Sequence, residues 1–134
     1  LPLAENERIA NIAGDGGGNF KYAFFITRRG IAKRVTFSEL LQTKRAKRIM
    51  KMDAGDEIAQ VRLTTGKNDM VIVTRDGLAL RVPEIEFRPL SRTARGAMAI
   101  RLKKNDYVLR RIAIAPRAEE LVLYHCLQLF HVCL

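Results

Sequence analysis

The chain has 134 residues, enough for one domain with its own core, and 48% of them are hydrophobic, which argues against wholesale disorder. A net charge of +10 favours a polyanionic partner, with nucleic acid ahead of an anionic membrane. No segment contains the roughly 18 apolar residues that a membrane-spanning helix needs. The first residues lack a signal-peptide pattern, and two cysteines are too few for a disulfide framework. We therefore expect a cytoplasmic protein.

The first pattern in chain order is LAENERI at residues 3–9, which recurs as MDAGDEI at 52–58 and as LKKNDYV at 102–108. The steps between the three copies are 49 and 50 residues. Repeats of this length are typical of propellers and related arrays. The Gly-Asp or Asn-Asp pair inside the second and third copies predicts a turn, with Asp56 and Asp106 as turn formers.

A glycine-rich stretch, GDGGGN, follows at residues 14–19. Such stretches cradle phosphate in P-loops, but here no Gly-Lys-Ser/Thr follows, and the stretch joins two predicted strands. We therefore interpret it as a flexible loop between structural units. The TGKND stretch around Lys67 also lacks the Ser or Thr after Lys, so it is not a P-loop either.

Residues 20–35, FKYAFFITRRGIAKRV, predict a β-hairpin. YAFFIT and IAKRV are rich in β-branched and aromatic residues, and RRG supplies a Gly where a tight turn requires positive φ. The hairpin recurs, because residues 23–40 and 70–87 match at an offset of 47, with seven of eighteen positions identical. MVIVT, RDG and LALRV therefore predict a second hairpin.

Each hairpin is followed by a linker, a predicted third strand (IMKM, then AMAIRL) and a predicted fourth strand (EIAQVRL, then YVLRRIAI). Four short strands in a unit of about 50 residues predict an all-β fold built from propeller blades. An alternative for the first linker is a basic amphipathic helix over residues 37–50. The matching stretch of the second unit contains Pro83 and Pro89, which argues against a long helix there.

Basic residues concentrate in the same parts of both units, the hairpin and the linker after it. Nine basic residues and one acid lie within residues 28–51, and seven basic residues and two acids lie within residues 81–104. Blades arranged around a ring would place these equivalent positions on one outer face. A single basic cluster is usually a solvated surface, but two clusters in register favour a continuous track that holds a polyanion.

Several segments resemble the C-terminal domain of the A subunit of DNA gyrase, which is a type IIA DNA topoisomerase. They are TRRGIAKRV, MDAGDEIAQVRLTTGKNDMVIVTRDGLALRV and RPLSRTARGAMAIRLKKNDYV, and the resemblance extends from residue 1 to about 123. It implies part of a β-pinwheel, a propeller-like ring whose basic outer face wraps duplex DNA and supports negative supercoiling. It also implies, as partners, the remainder of the gyrase A polypeptide and the gyrase B polypeptide, with the DNA-cleaving tyrosine outside this chain and no cofactor within it.

We expect this surface to contact phosphates without reading the sequence of the bases. The residues predicted to contact DNA are Arg28, Arg29, Lys33, Arg34, Lys44, Arg45, Lys47, Arg48, Arg75, Arg81, Arg88, Arg92, Arg95 and Arg101.

The repeat divides the chain into residues 1–16 as the end of one blade, 17–66 and 67–116 as two blades, and 117–134 as the start of a further blade. The tail YHCLQLFHVCL departs from the resemblance, because it has neither Gly nor charge. Its residues His125, Cys126, His131 and Cys133 are potential zinc ligands, but their spacing lacks a knuckle turn, and buried tail residues are the favoured interpretation.

Two alternatives remain open. The Gln-Arg-Arg-Gly-Gly-Lys-Gly box that marks gyrase is not in this chain; in the family it lies upstream, so its absence does not separate gyrase from topoisomerase IV. The second alternative is a propeller-type interaction module with an acidic protein partner. An enzyme acting alone is disfavoured, because no facing carboxylate pair or nucleophilic triad can be assembled from the sequence.

Overall fold

A computed structural model describes residues 5, 7–10, 12–14, 17–42 and 48–113. Its regular elements are seven strands, a short helix α1 and one 3₁₀ turn. In chain order they are β1 (Tyr22–Thr27), β2 (Ile31–Thr36), α1 (Phe37–Leu41), β3 (Ile58–Thr64), β4 (Asp69–Thr74), β5 (Ala79–Pro83), the 3₁₀ turn (Glu84–Glu86), β6 (Ala97–Met98) and β7 (Val108–Ala113).

The strands form two antiparallel sheets, which confirms the all-β prediction. The first sheet has the order β3-β1-β2-β6, and the second has the order β5-β4-β7. The hairpins β1-β2 and β4-β5 are the two that the repeat predicts. In each unit, a later strand pairs with the first strand of the hairpin: β3 pairs with β1, and β7 pairs with β4.

The four strands of the first sheet do not all come from one repeat. Strand β6 belongs to the second unit in sequence, yet it pairs with β2 of the first unit, with Ile31 opposite Met98 and Ala32 opposite Ala97. The predicted third strand of the first unit, residues 49–52, is irregular rather than a strand. That prediction was wrong because the linker after a hairpin carries the chain back to the sheet of the preceding unit. The described residues include no hairpin before β1 with which residues 49–52 could pair.

The first linker begins as a helix but does not continue as one. Helix α1 ends at Leu41, and the chain is not helical at residues 48–50, so no helix spans residues 37–50. In the second unit the linker starts with the 3₁₀ turn at Glu84–Glu86, directly after Pro83.

Two apolar clusters cover the two faces of the first sheet. Phe24, Ile26 and Ala32 face Met70 and Ile72 of the second sheet, and together they form the core between the sheets. Phe24 also meets the ring of Phe87 edge-on, with ring centroids 5.1 Å apart. Because alternate residues of a strand point to opposite faces, Ala23, Phe25 and Val35 instead form the second cluster, with Met50. The first sheet is therefore buried on both sides.

Lys33 was predicted to contact DNA, but it lies inside this structure. Its side chain is fully buried, and its ammonium donates to three backbone carbonyls, those of Ile49 at 2.6 Å and of Arg92 and Ala94 at 2.8 Å each. All three ammonium hydrogens are therefore used. Burial lowers the pKa of Lys33, while the nearby charge of Glu39 acts in the opposite direction. The residue fastens the linkers of both units to β2.

Replacing Lys33 by Met keeps most of the side-chain volume and leaves three inward-facing carbonyls without their donor. We expect Lys33→Met to lower the free energy of unfolding by about 2 kcal/mol, because unpaired buried polar groups are costly. Denaturant titration measures this change. The matched control is Lys51→Met, an exposed lysine, which should change stability by less than about 0.5 kcal/mol. Equal stability of the two variants would contradict the role of Lys33.

Gly30 combines a positive φ of 82° with a close neighbour, since a Cβ at this position would lie 2.6 Å from the backbone oxygen of Ile100. Gly55 has a similar φ of 74°, but its added Cβ would meet only the flexible end of Arg29 at 3.2 Å. We expect Gly55→Ala to cost about 1 kcal/mol of stability from backbone strain alone. Gly30→Ala should cost clearly more, about 3 kcal/mol, because backbone must also move. Equal losses in thermal or denaturant unfolding would contradict this difference.

Candidate nucleic-acid interface

Four turns meet at one end of the two sheets, and we call them the turn cluster: residues 27–30, 53–56, 74–77 and 103–106. Within each unit, the turn of the hairpin is hydrogen-bonded to the turn that precedes the next strand. Arg28 N–H donates to the Glu57 carbonyl at 2.8 Å, and Arg75 N–H donates to the Tyr107 carbonyl at 2.9 Å. Between the units, Val108 N–H donates to the Arg28 carbonyl at 2.9 Å.

The two hairpin turns have the same internal structure. Gly30 N–H donates to the Thr27 carbonyl at 3.1 Å, and Gly77 N–H donates to the Thr74 carbonyl at 3.2 Å. Both glycines have positive φ, 82° and 84°, as the sequence predicts. The hydroxyl oxygen of each threonine accepts the N–H of the residue that follows the turn glycine, Ile31 at 3.1 Å and Leu78 at 3.2 Å. This explains why Thr and Gly recur at the same spacing in both units.

An aspartate holds each hairpin turn in place. Asp56 Oδ1 accepts N–H groups from Arg29 at 3.1 Å and from Glu57 at 2.8 Å. Asp106 Oδ1 accepts N–H groups from Asp76 at 3.1 Å and from Tyr107 at 2.8 Å. The predicted role of these aspartates as turn formers is confirmed. Each aspartate also binds a backbone N–H of the neighbouring hairpin turn.

Asp106 is kept ionised by these contacts. Burial alone would raise its pKa, but hydrogen bonds from the Thr74 hydroxyl and from two backbone N–H groups, with the charge of Arg75, lower the pKa below its ordinary value. A carboxylate is therefore stabilised inside the turn cluster, and it orients the turn of the second hairpin.

Four of the predicted DNA contacts are exposed and make no ion pair with any described residue: Arg29, Arg48, Arg88 and Arg101. Arg29 lies in the turn cluster. Arg101 lies beside it, because Ile100 N–H contacts the Gly30 carbonyl at 3.4 Å. These guanidinium groups are available to a ligand in solution.

Five other predicted contacts lie near acids of the same chain. Arg28 is 3.8 Å from Glu57, Arg75 is 3.8 Å from Asp76, and Arg92 is 3.5 Å from Glu39. The other two ion pairs are Arg81 with Asp69 at 2.6 Å and Arg95 with Asp53. Solvent-accessible pairs of this kind are weak, so a phosphate can compete for these arginines.

Arg34 is a second predicted DNA contact that lies inside the structure. It exposes 5% of its surface, and its guanidinium lies over the ring of Tyr22, 4.4 Å from the ring centroid. In the second unit the equivalent pair is Arg81 with Asp69, and Arg81 is exposed. The sequence does not distinguish these two arginines, because Arg34 lies beside a distant segment: it forms an isolated bridge with Pro89, and its carbonyl accepts the N–H of Leu90 at 2.8 Å.

The remaining predicted contacts, Lys44, Arg45 and Lys47, lie outside the described residues, as does the tail with His125, Cys126, His131 and Cys133. Over the part of the chain that is described, no group of three His, Cys, Asp or Glu side chains could hold a metal ion. The described helices include none long and apolar enough to cross a membrane.

The charge pattern of the sequence did not single out two cations of the turn cluster. Lys103 and Lys104 are exposed and lie in the turn that Asp106 closes, where Asp106 N–H donates to the Lys103 carbonyl at 3.2 Å. They are part of the second basic run, but they were not among the predicted contacts. The recurrence of this turn every 50 residues was the signal that could have found them.

Because the folded-state pKa of Asp106 is depressed, its carboxylate stabilises the fold above the unfolded-state pKa of about 4, and this contribution is lost as the pH falls through the folded value. Asp106→Asn keeps an acceptor oxygen and removes the charge. We expect the stability difference between wild type and variant to be largest at neutral pH and to shrink below about pH 4. Unfolding titrations between about pH 7 and pH 3 measure it, and a constant difference would contradict the assignment.

Comparison with known proteins identifies the family. A family model described as "DNA gyrase C-terminal domain, beta-propeller" matches residues 21–65 and 68–110. The DNA gyrase A subunit of Aminobacterium colombiense is 54% identical over 110 residues, which cover 81% of this chain and 14% of that protein. The DNA gyrase A subunit of Mycoplasma genitalium is 32% identical over 109 residues, covering 81% of this chain and 13% of that protein. The chain thus spans about a seventh of these relatives.

Two solved structures share the fold. The structure of a DNA gyrase A C-terminal domain superposes with a TM-score of 0.74 at 16% identity, covering 84% of this chain and 37% of that one. The C-terminal domain of a DNA topoisomerase IV superposes with a TM-score of 0.62 at 27% identity, covering 76% of this chain and 32% of that one. The repeated hairpins, the two antiparallel sheets and the matched family model agree. The chain belongs to the DNA gyrase C-terminal domain family of β-propeller domains.

Proposed function

We propose that this chain is part of the C-terminal domain of a gyrase A polypeptide, where it binds duplex DNA without sequence specificity and bends it. In this proposal it supports ATP-dependent negative supercoiling by the whole enzyme in the cytoplasm, together with the remainder of that polypeptide and with the gyrase B polypeptide. The observation that carries the proposal is the turn cluster, which brings cations from two successive repeats to one end of the sheets.

The physical basis is the phosphate charge of DNA. A cation that contacts a phosphate releases a condensed counterion, so each contact adds about 0.9 to the slope of log affinity against log salt. Bending roughly 20–30 base pairs smoothly by 40–90° costs on the order of 1–6 kcal/mol. A row of exposed cations such as Arg29, Arg101, Lys103 and Lys104 offsets that cost and makes the DNA follow the protein surface.

Backbone contact rather than base readout fits the described elements. Helix α1 has five residues and carries Glu39 in its first turn, so it is too short and has the wrong charge to read a major groove. The four turns of the cluster present arginines and lysines without a row of exposed aromatic rings that would stack bases of a single strand. In this proposal the chain supplies binding and curvature, and DNA cleavage takes place elsewhere in the enzyme.

A topoisomerase IV C-terminal domain is the nearest alternative, since one is a structural neighbour. We favour gyrase because a gyrase homologue is 54% identical over most of the chain. Placing the chain in a gyrase A polypeptide, in exchange for only the repeats that it matches and with the upstream box left in place, separates the two. Restored ATP-dependent negative supercoiling supports gyrase, and relaxation without supercoiling supports topoisomerase IV.

The decisive test of DNA binding is the affinity of the 134-residue chain for a long linear duplex over a series of salt concentrations, with a short duplex of equal composition as control. We expect a steep fall of affinity with salt and a clear preference for the longer duplex. A shallow slope without length preference would overturn the proposal and favour a protein-interaction module with an acidic partner.

A matched pair of variants localises the binding. Arg29→Gln removes an exposed cation of the turn cluster, and Arg62→Gln removes an exposed cation in the middle of β3. We expect the first to lower the salt slope by roughly one and the second to leave it unchanged. The opposite result would show that DNA contacts the surface near Arg62 rather than the turn cluster.

A further inference from the structure

The ring of Tyr107 lies at the boundary between the two repeats and contacts an arginine from each of them. The guanidinium carbon of Arg28, in the first hairpin turn, is 4.1 Å from the ring centroid, and that of Arg75, in the second hairpin turn, is 5.8 Å away. The two arginines are equivalent in the repeat, being 47 residues apart. One uncharged ring therefore holds the first arginine of two successive turns.

The backbone of Tyr107 is fixed independently of its side chain. Its N–H donates to Asp106 Oδ1 at 2.8 Å, and its carbonyl accepts the N–H of Arg75 at 2.9 Å. The next residue, Val108, is buried and donates to the Arg28 carbonyl at 2.9 Å. Side-chain substitutions at Tyr107 thus change what meets the two guanidinium groups and leave the hydrogen bonds of the turns in place.

The equivalent position of the first unit carries an acid. Glu57 lies 50 residues before Tyr107 and follows Asp56 as Tyr107 follows Asp106, and its carbonyl accepts an N–H from the first hairpin turn in the same way. Its carboxylate pairs with Arg8 and lies 3.8 Å from Arg28. At this position of the repeat, Glu57 neutralises neighbouring arginines, whereas the ring of Tyr107 attracts them without cancelling their charge.

We propose that Tyr107 is a positioning residue for DNA phosphate: it holds Arg28 and Arg75 at a fixed separation, as a two-cation site for the backbone at the boundary between blades. This inference rests on the proposed DNA binding, and it names the residue that positions the two arginines. Glu57, the equivalent residue one repeat earlier, acts in the opposite direction on Arg28 of this same site, because its carboxylate competes with phosphate for that arginine. Strength of DNA contact along the ring is then set by the residue that follows the turn aspartate.

The first experiment compares three variants of the 134-residue chain in binding to the long duplex across the salt series. Tyr107→Phe keeps the ring and should bind like wild type. Tyr107→Leu loses the attraction between ring and cations, and we expect about threefold weaker binding with both charges still present. Tyr107→Glu copies the first unit, pairs with both arginines, and should bind roughly tenfold more weakly or worse, with the salt slope reduced by roughly two.

The second experiment looks for a gain of affinity, because a substitution that only damages the fold would lower the affinity. Glu57→Gln removes the competing carboxylate from Arg28, and we expect about threefold tighter binding and a salt slope steeper by roughly one. Glu86→Gln is the matched control, since Glu86 is exposed and lies outside the turn cluster, and it should leave the slope unchanged. Unfolding titrations on every variant confirm that the folded fraction is equal.

The outcomes separate the two proposals. If the wild-type chain does not bind DNA with a steep salt slope, the proposed function fails. If wild type binds as expected but Tyr107→Glu and Glu57→Gln both keep its affinity and slope, DNA binding stands and the role of Tyr107 is overturned. If Tyr107→Phe binds as weakly as Tyr107→Leu, the role of Tyr107 is also overturned, because the aromatic ring would then not be the group that holds the arginines.

Discussion

The hydrogen bonds from Asp56 and Asp106 to the neighbouring hairpin turns are the interaction on which the arrangement of the surface depends. Each carboxylate accepts one N–H from its own turn and one from the hairpin turn. Hydrogen bonds from backbone N–H groups to a carboxylate are stronger than those between neutral groups. Each aspartate thus anchors the neighbouring hairpin turn, and the first arginine of that turn, Arg28 or Arg75, acquires a defined position.

The second feature on which the structure depends is a strand of the second repeat that joins the sheet of the first. Strand β6 of the second unit completes the sheet of the first, and Lys33 fastens both linkers to β2 through three carbonyls. Together these contacts bury the side chains of β2, whereas its equivalent β5 is half exposed because no described strand covers it. The environment of a residue therefore depends on its neighbour in the ring as much as on its own repeat, which links the position of one blade to that of the next.

Some of the basic residues stabilise the fold, and others are exposed on the surface. Lys33 and Arg34 belong to the interior, Arg81 and Arg95 are paired with acids, and exposed cations such as Arg29 remain at the turns. A net charge of +10 thus overstates the number of groups free to meet a phosphate. What distinguishes this surface is the repetition of the same turn at the same end of successive sheets, which brings cations of two repeats together there.

Local sequence was enough to establish the all-β class, the period of about 50 residues, both hairpins, their glycine turns and the turn aspartates. These features follow from strand propensity and from the positive φ that only Gly adopts readily. Long-range packing determined that β6 crosses to the first sheet, that Lys33 and Arg34 are buried, and that Arg28 and Arg75 meet at Tyr107. Those outcomes require contacts between residues tens of positions apart, and a linear pattern of charge does not record which lysine or arginine a distant strand will cover.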